Sequence, residues 1–109
     1  MNHRPLRVAN LIREELAMMI ERELDIPPGT LLTVTEVEVS KKMDIAHVRV
    51  SVLPSAKTAA ALKALQAARR DLQFALTRKL NIKPMPQIEF SIDHGPENAA
   101  AVEKALLGE

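Results

Sequence analysis

The sequence predicts an α+β fold with the element order α-β-β-α-α-β, in which a three-stranded sheet carries helices packed on one face. Apolar residues recur at helical spacing in the first quarter of the chain. Two alternating β-branched runs follow across a short turn, and an Ala-rich segment precedes a third alternating run. Because helices and a sheet each bury one apolar face, this order indicates a two-layer sandwich.

The first helix is predicted over residues 6–24, where the apolar side chains fall on one face and Glu and Arg lie between them. Pro5 suits the first turn of a helix, because a proline there removes no helical hydrogen bond. Residues 27–29, Pro-Pro-Gly, end the helix and predict a turn.

A hairpin is predicted next. Residues 31–39 and 45–53 alternate in the manner of strands, and the polar turn 40–44 is short enough to pair them antiparallel. Pro54 stops the second strand, and Ser55 is predicted to cap the helix that follows. We expect the polar side chains of the second strand on its solvent side, namely His47, Arg49 and Ser51.

The Ala-rich segment 56–80 is helical in composition, but a single straight helix places Arg69 within an apolar stripe. The stripe consists of Leu62, Leu65, Leu72, Leu76 and Leu80. Because burying an unpaired Arg is costly, we predict a break at residues 69–71, with Asp71 capping a second helix. The alternative is one continuous helix whose Arg69 side chain reaches around to solvent.

Residues 88–93 alternate strictly and predict the third strand, after a loop bounded by Pro84 and Pro86. Residues 97–107 are predicted to form a short C-terminal helix. A chain of 109 residues suits one domain, so we assign residues 1–95 to the domain and residues 96–109 to a short helical tail.

The composition excludes several classes of protein. The absence of Cys excludes disulfide scaffolds, zinc ribbons and thiol catalysis, and the three His residues are too far apart in sequence to predict a metal site. No phosphate-binding loop or nucleophile motif is present, so we expect no enzymatic activity, no cofactor and no small-molecule substrate. No apolar run approaches the roughly 20 residues that span a membrane, and no signal peptide is recognisable, so we expect a cytoplasmic protein.

The charge is unevenly distributed, although the formal net charge is only +1. Residues 41–83 carry ten basic and two acidic side chains, whereas both flanking segments are acidic overall. This pattern indicates a site for a polyanion such as RNA, and the alternative is a solvated helix face. The candidate residues are Lys41 and Lys42 at the hairpin tip, Lys57 and Lys63 before the predicted break, and Arg69, Arg70, Arg78, Lys79 and Lys83 around and after it.

Recognition of RNA would have to rest on charge and shape. The chain has two Phe and no Trp or Tyr, which is too few rings for an aromatic platform, and Phe90 is expected in the core. If Asp71 begins a helix, its first amide groups would receive a phosphate together with Arg69 and Arg70.

Three segments resemble one known family. Residues 32–40 (LTVTEVEVS) and 46–53 (AHVRVSVL) closely resemble the hairpin of bacterial ribosome-binding factor A, and residues 86–93 (PQIEFSID) resemble its last strand. The first helix is similar at Arg7, Val8, Ile12, Glu15 and Leu16. The resemblance covers about residues 4–95 and implies a type II KH-like domain. The family has an Ala-x-Gly signature at a kink between two helices, and here residues 68–70 place an Arg where the Gly stands.

The resemblance implies a non-enzymatic ribosome assembly factor. Proteins of this family bind the immature small (30S) ribosomal subunit, act late in its maturation and support processing of the 5′ end of 16S rRNA, and they are associated with growth in the cold. The implied partners are the small subunit and its 16S rRNA, with the protein acting as a monomer. Two alternatives stay open: a stand-alone KH-like module that binds another structured RNA, and a protein–protein adaptor whose Ala-rich helices pack on a partner.

Overall fold

A computed structural model describes residues 3–95 of the chain. Its elements are α1 (Arg4–Glu23), β1 (Leu31–Val39), β2 (Ile45–Leu53), a short 3-10 helix (Ser55–Lys57), α2 (Thr58–Leu80) and β3 (Gln87–Ile92). The predicted α+β class is confirmed, with a three-stranded sheet that packs against two helices. The predicted C-terminal helix and the 96–109 tail lie outside the described residues.

The sheet has the order β1-β2-β3, with β1 and β2 antiparallel and β2 and β3 parallel. The antiparallel register runs from the Leu31–Leu53 pair to the Val39–Ala46 pair, with an irregularity between Val34 and Glu36. The extra residue there shifts the inward-facing positions of β1 by one, from even-numbered to odd-numbered residues. Alternation along β1 alone did not predict this bulge.

The helix α2 is continuous, so the break predicted at residues 69–71 is wrong. Its most buried residues are Ala61, Leu65, Leu72 and Leu76, and the half-buried Ala68 fills the turn between the second and third of them. The buried stripe therefore passes through Ala68, and Arg69 lies at its margin, exposed. Because no charge has to be buried, the helix has no reason to break, and it ends at Asn81 in a left-handed conformation.

The core lies between the helices and one face of the sheet. Its largest fully buried side chains include Ile12, Leu16, Leu65, Leu76 and Ile88. Phe90 is also buried, as predicted.

Two predictions near the end of β2 are wrong. Ser51 is buried rather than solvent-facing, at the end of the strand where the chain turns into the 3-10 helix. Ser55 makes no capping hydrogen bond, because α2 begins only at Thr58, after that 3-10 turn.

The two helices run antiparallel where they meet. Arg4, at the start of α1, donates a hydrogen bond from its guanidinium to the carbonyl oxygen of Lys83, just beyond α2, at 2.7 Å. At the other end of α1, Glu23 lines a shallow depression together with Ala68 and Asp71. Neither helix among residues 3–95 has the length and hydropathy that crossing a bilayer requires.

Candidate nucleic-acid interface

One exposed side of α2 carries three of the predicted cations. Lys63, Arg70 and Arg78 are separated by about two helical turns each, so their side chains project within about 80° of one another around the helix axis. Phe74 lies one turn from each of the two arginines. All four side chains are exposed, and we refer to them as the basic face of α2.

Phe74 is the part of this face that the sequence analysis missed. Its side chain is 64% exposed, which is unusual for an aromatic residue in a small domain. The guanidinium carbon of Arg78 lies 5.8 Å from the centre of the Phe74 ring, within the range of a cation–π interaction. The available signal was helical spacing, because Phe74 falls midway between Leu72 and Leu76 and so projects opposite the buried stripe.

The predicted pairing of Arg69 with Arg70 at a helix start is wrong. Successive residues of a helix diverge by about 100°, so only Arg70 belongs to the basic face. Arg69 lies one turn before Gln73, on the flank that approaches β3. Asp71 is in the middle of α2, where the backbone amides are committed to helical hydrogen bonds, so no phosphate site exists at a helix start there.

A groove of about 440 Å³ between the two helices extends the basic face. It is lined by Glu15, Met19 and Arg22 of α1 and by Phe74, Ala75, Arg78 and Lys79 of α2. The groove thus brings the predicted residues Arg78 and Lys79 together with Arg22. Arg22 was absent from the predicted set because it lies far away in sequence, in the last turn of α1. We refer to this feature as the α1–α2 groove.

A second group of cations lies near the start of α1. Lys83 is placed there by its contact with Arg4, and Lys41 lines a depression together with His3 and Leu6. Lys42 is exposed beside Lys41 in the hairpin turn. The remaining candidate, Lys57, is exposed just before α2, at the far end of that helix from Lys83.

The hairpin turn that carries Lys41 and Lys42 is held by Ser40. The hydroxyl oxygen of Ser40 accepts hydrogen bonds from the backbone N–H groups of Asp44 and Ile45, each at 3.2 Å. The same hydroxyl donates to the carboxylate of Asp44, which holds the pKa of that carboxyl below its ordinary value. The turn therefore presents its two lysines from a hydrogen-bonded frame.

The open face of the sheet has the opposite electrostatic character. It exposes the carboxylates of Glu36, Glu38 and Glu89. The guanidinium of Arg49 contacts the Glu36 carboxylate at 3.0 Å. Nδ1 of the His47 ring lies 3.9 Å from a carboxylate oxygen of Glu89. Because these carboxylates offset the basic groups of the sheet, a polyanion is favoured on the helical side of the domain.

No group of three metal-ligating side chains that could hold an ion occurs within residues 3–95.

Comparison with known proteins agrees with the fold. A sequence model described as Ribosome-binding factor A matches residues 4–106. Ribosome-binding factor A of Chlorobium phaeobacteroides is 36% identical over 109 residues, which cover 97% of this chain and 93% of the relative.

Solved structures agree as well. The crystal structure of ribosome-binding factor A from Thermus thermophilus superposes with a TM-score of 0.58 at 29% identity, covering 83% of this chain and 92% of that one. A homology model of the same Thermus protein, fitted into a cryo-electron-microscopy map of its 30S complex, gives 0.59 at 28% identity, covering 86% and 96%. By sequence and by fold, this chain belongs to the ribosome-binding factor A family.

Proposed function

We propose that this protein binds the small (30S) ribosomal subunit through 16S rRNA and assists late maturation of the subunit, including processing of the 5′ end of 16S rRNA. The observation that carries the proposal is the segregation of charge. The basic face of α2 and the α1–α2 groove lie on the helical side of a domain whose open sheet face is rich in carboxylates. The 30S complex of the Thermus relative supports the choice of partner.

The proposed interaction is with the RNA of the subunit rather than with its proteins. Arg70 and Arg78 present planar guanidinium groups, which form paired hydrogen bonds with phosphate oxygens. Lys63 adds a point charge on the same face, and Lys79 adds one in the α1–α2 groove. Such contacts position a protein on an RNA backbone, so the subunit's folded shape would supply the specificity.

The family supports a binding role without catalysis. We also propose that the protein acts as a monomer in the cytoplasm, where subunits are assembled, and that cells need it most in the cold. Deletion of its gene would then slow growth at low temperature and cause 16S rRNA with an unprocessed 5′ end to accumulate. Normal growth and normal 5′ ends in the deletion strain would contradict this part of the proposal.

Sedimentation with purified immature 30S subunits tests the binding proposal. We expect the parent protein to sediment with the subunits and to lose affinity steeply between about 50 and 200 mM salt, because each phosphate contact releases counterions. The triple variant Lys63→Ala, Arg70→Ala, Arg78→Ala should bind more weakly and with a shallower salt dependence.

The matched control is Arg13→Ala, which removes an exposed cation from the flank of α1 that faces β1. This variant should bind as the parent does. Equal binding by the triple variant, or a flat salt dependence of the parent, would contradict the proposal. Association that survives ribonuclease treatment would favour a protein partner instead.

A further inference from the structure

We propose that the α1–α2 groove binds one unpaired base of single-stranded RNA, stacked on the exposed ring of Phe74 and read at its amino edge by the carboxylate of Glu15. The inference rests on the proposed RNA-binding function and assigns a nucleotide subsite within it. It commits to a base that carries an exocyclic amino group: adenine, cytosine or guanine rather than uracil.

The first support is the position of Phe74. Phe74 is 64% exposed and also lines the groove, so it offers an accessible aromatic surface at the edge of a shallow, open depression. Stacking of unpaired bases on such rings is a common means of single-strand recognition. The guanidinium carbon of Arg78 lies over one face of the ring, 5.8 Å from its centre, so a base would stack on the other face.

The second support is Glu15, an acidic residue of the groove whose presence phosphate contacts do not explain. It is only 8% exposed, and it lines the groove from the α1 side. Within residues 3–95, no hydrogen bond or ion pair is formed by its side chain. Its carboxylate oxygens are not among the fully buried atoms that lack a partner, so they are accessible to solvent and can accept a hydrogen bond from a ligand. Amino groups on the edges of bases are such donors.

The third support is the balance of charge around the groove. Arg22, Arg78 and Lys79 line the same groove as the single carboxylate of Glu15, so cations are in excess there and can meet the phosphates that flank a bound base. The volume of about 440 Å³ is within the range of small-ligand sites. These groups match the three parts of a nucleotide. The aromatic ring suits the face of the base, the carboxylate suits its edge, and the cations suit the phosphate.

The probes are an all-uridine RNA octamer and three octamers in which one central uridine is replaced by adenosine, cytidine or guanosine. We expect the parent protein to bind the substituted octamers more tightly than the all-uridine octamer. Phe74→Ala should weaken binding of the substituted octamers by about five- to hundred-fold. Leu31→Ala, which removes another largely exposed apolar side chain that does not line the groove, is the matched control and should bind as the parent does.

Phe74→Trp provides a direct readout of stacking, because the chain contains no other Trp. Its fluorescence should be quenched by the substituted octamers while affinity is kept. Glu15→Gln replaces the carboxylate with an amide that can donate to the carbonyl oxygens of uracil, so it should reduce or reverse the preference for amino-bearing bases. Circular dichroism melts of each variant would establish that the fold is retained.

Equal affinity of the parent for all four octamers would overturn the assignment of Glu15, and unchanged binding by Phe74→Ala would overturn the stacking site. If the parent binds none of the octamers but still sediments with 30S subunits, the subsite is wrong and the proposed function stands. If the parent binds neither the octamers nor the 30S subunits, both the nucleotide subsite and the proposed function are wrong.

Discussion

Gln73 and Ile88 join the long helix to the last strand. The side-chain carbonyl oxygen of Gln73 accepts a hydrogen bond from the backbone N–H of Ile88 at 2.8 Å, and its amide nitrogen donates to the carbonyl oxygen of Pro86 at 2.9 Å. β3 is an edge strand of the described sheet, so one amide side chain pairs two backbone groups that no neighbouring strand reaches. This contact fixes α2 against β3 and thereby sets the direction of the basic face.

Gln73→Ala should lower the free energy of unfolding by about 1–3 kcal/mol, because it leaves two partly buried backbone groups without partners. Gln66→Ala is the matched control, since Gln66 is exposed on the same helix, and it should change stability by less than about 0.5 kcal/mol. Denaturant titrations of both variants measure the difference. Equal stability of the two variants would contradict the role given to Gln73.

Arg70→Gly tests the continuity of α2, because it restores the glycine of the family's Ala-x-Gly signature. In a continuous helix, an exposed glycine should destabilise the protein by about 0.5–1 kcal/mol relative to Arg70→Ala. If α2 were kinked at this point, the glycine would be tolerated or even stabilising. Thermal melts of the two variants distinguish these outcomes.

Arg69 and Arg70 should contribute unequally to RNA binding, although they are adjacent in sequence. Arg70 is on the basic face with Phe74 and Arg78, whereas Arg69 lies on the flank towards β3. We expect Arg70→Ala to weaken binding to 30S subunits by about 1–3 kcal/mol, as for the loss of charge-assisted hydrogen bonds. Arg69→Ala should have a clearly smaller effect. Equal losses in a binding titration would contradict this division of the helix surface.

Asp93 should make stability depend on acidity. Hydrogen bonds from the backbone N–H of Gly95 at 2.9 Å and from the hydroxyl of Thr35 at 2.8 Å hold the pKa of Asp93 below its ordinary value of 3.8. A pKa that is lower in the folded state gives stability that is present above about pH 4 and is lost as the pH falls through the folded-state value.

Asp93→Asn should therefore have a lower free energy of unfolding than the parent at pH 7. The difference between the two proteins should become smaller below pH 3.8, because the parent's carboxyl becomes protonated there. Denaturant titrations at a series of pH values measure this difference in the free energy of unfolding. A difference that stays constant across the series would show that the charged form of Asp93 gains nothing from folding.

The sequence by itself predicted the strands closely, since alternation between β-branched and polar residues is a local property. The structure has β1 at Leu31–Val39 and β2 at Ile45–Leu53, as the alternation indicates. The uneven charge and the family resemblance were also visible in the sequence, and they predicted a binding role. Seven of the nine predicted cations lie on the basic face, in the α1–α2 groove or near the start of α1.

Tertiary packing decided the rest. The leucine spacing of α2 fits either a broken or a continuous helix, and only the packing of Ala68 within the buried stripe determines that Arg69 stays at its margin. The α1–α2 groove joins Glu15 and Arg22 to Phe74 and Arg78 across more than fifty residues of sequence. No local sequence pattern predicts that these residues lie close together. Their proximity depends on the antiparallel packing of two helices that the sheet holds in place.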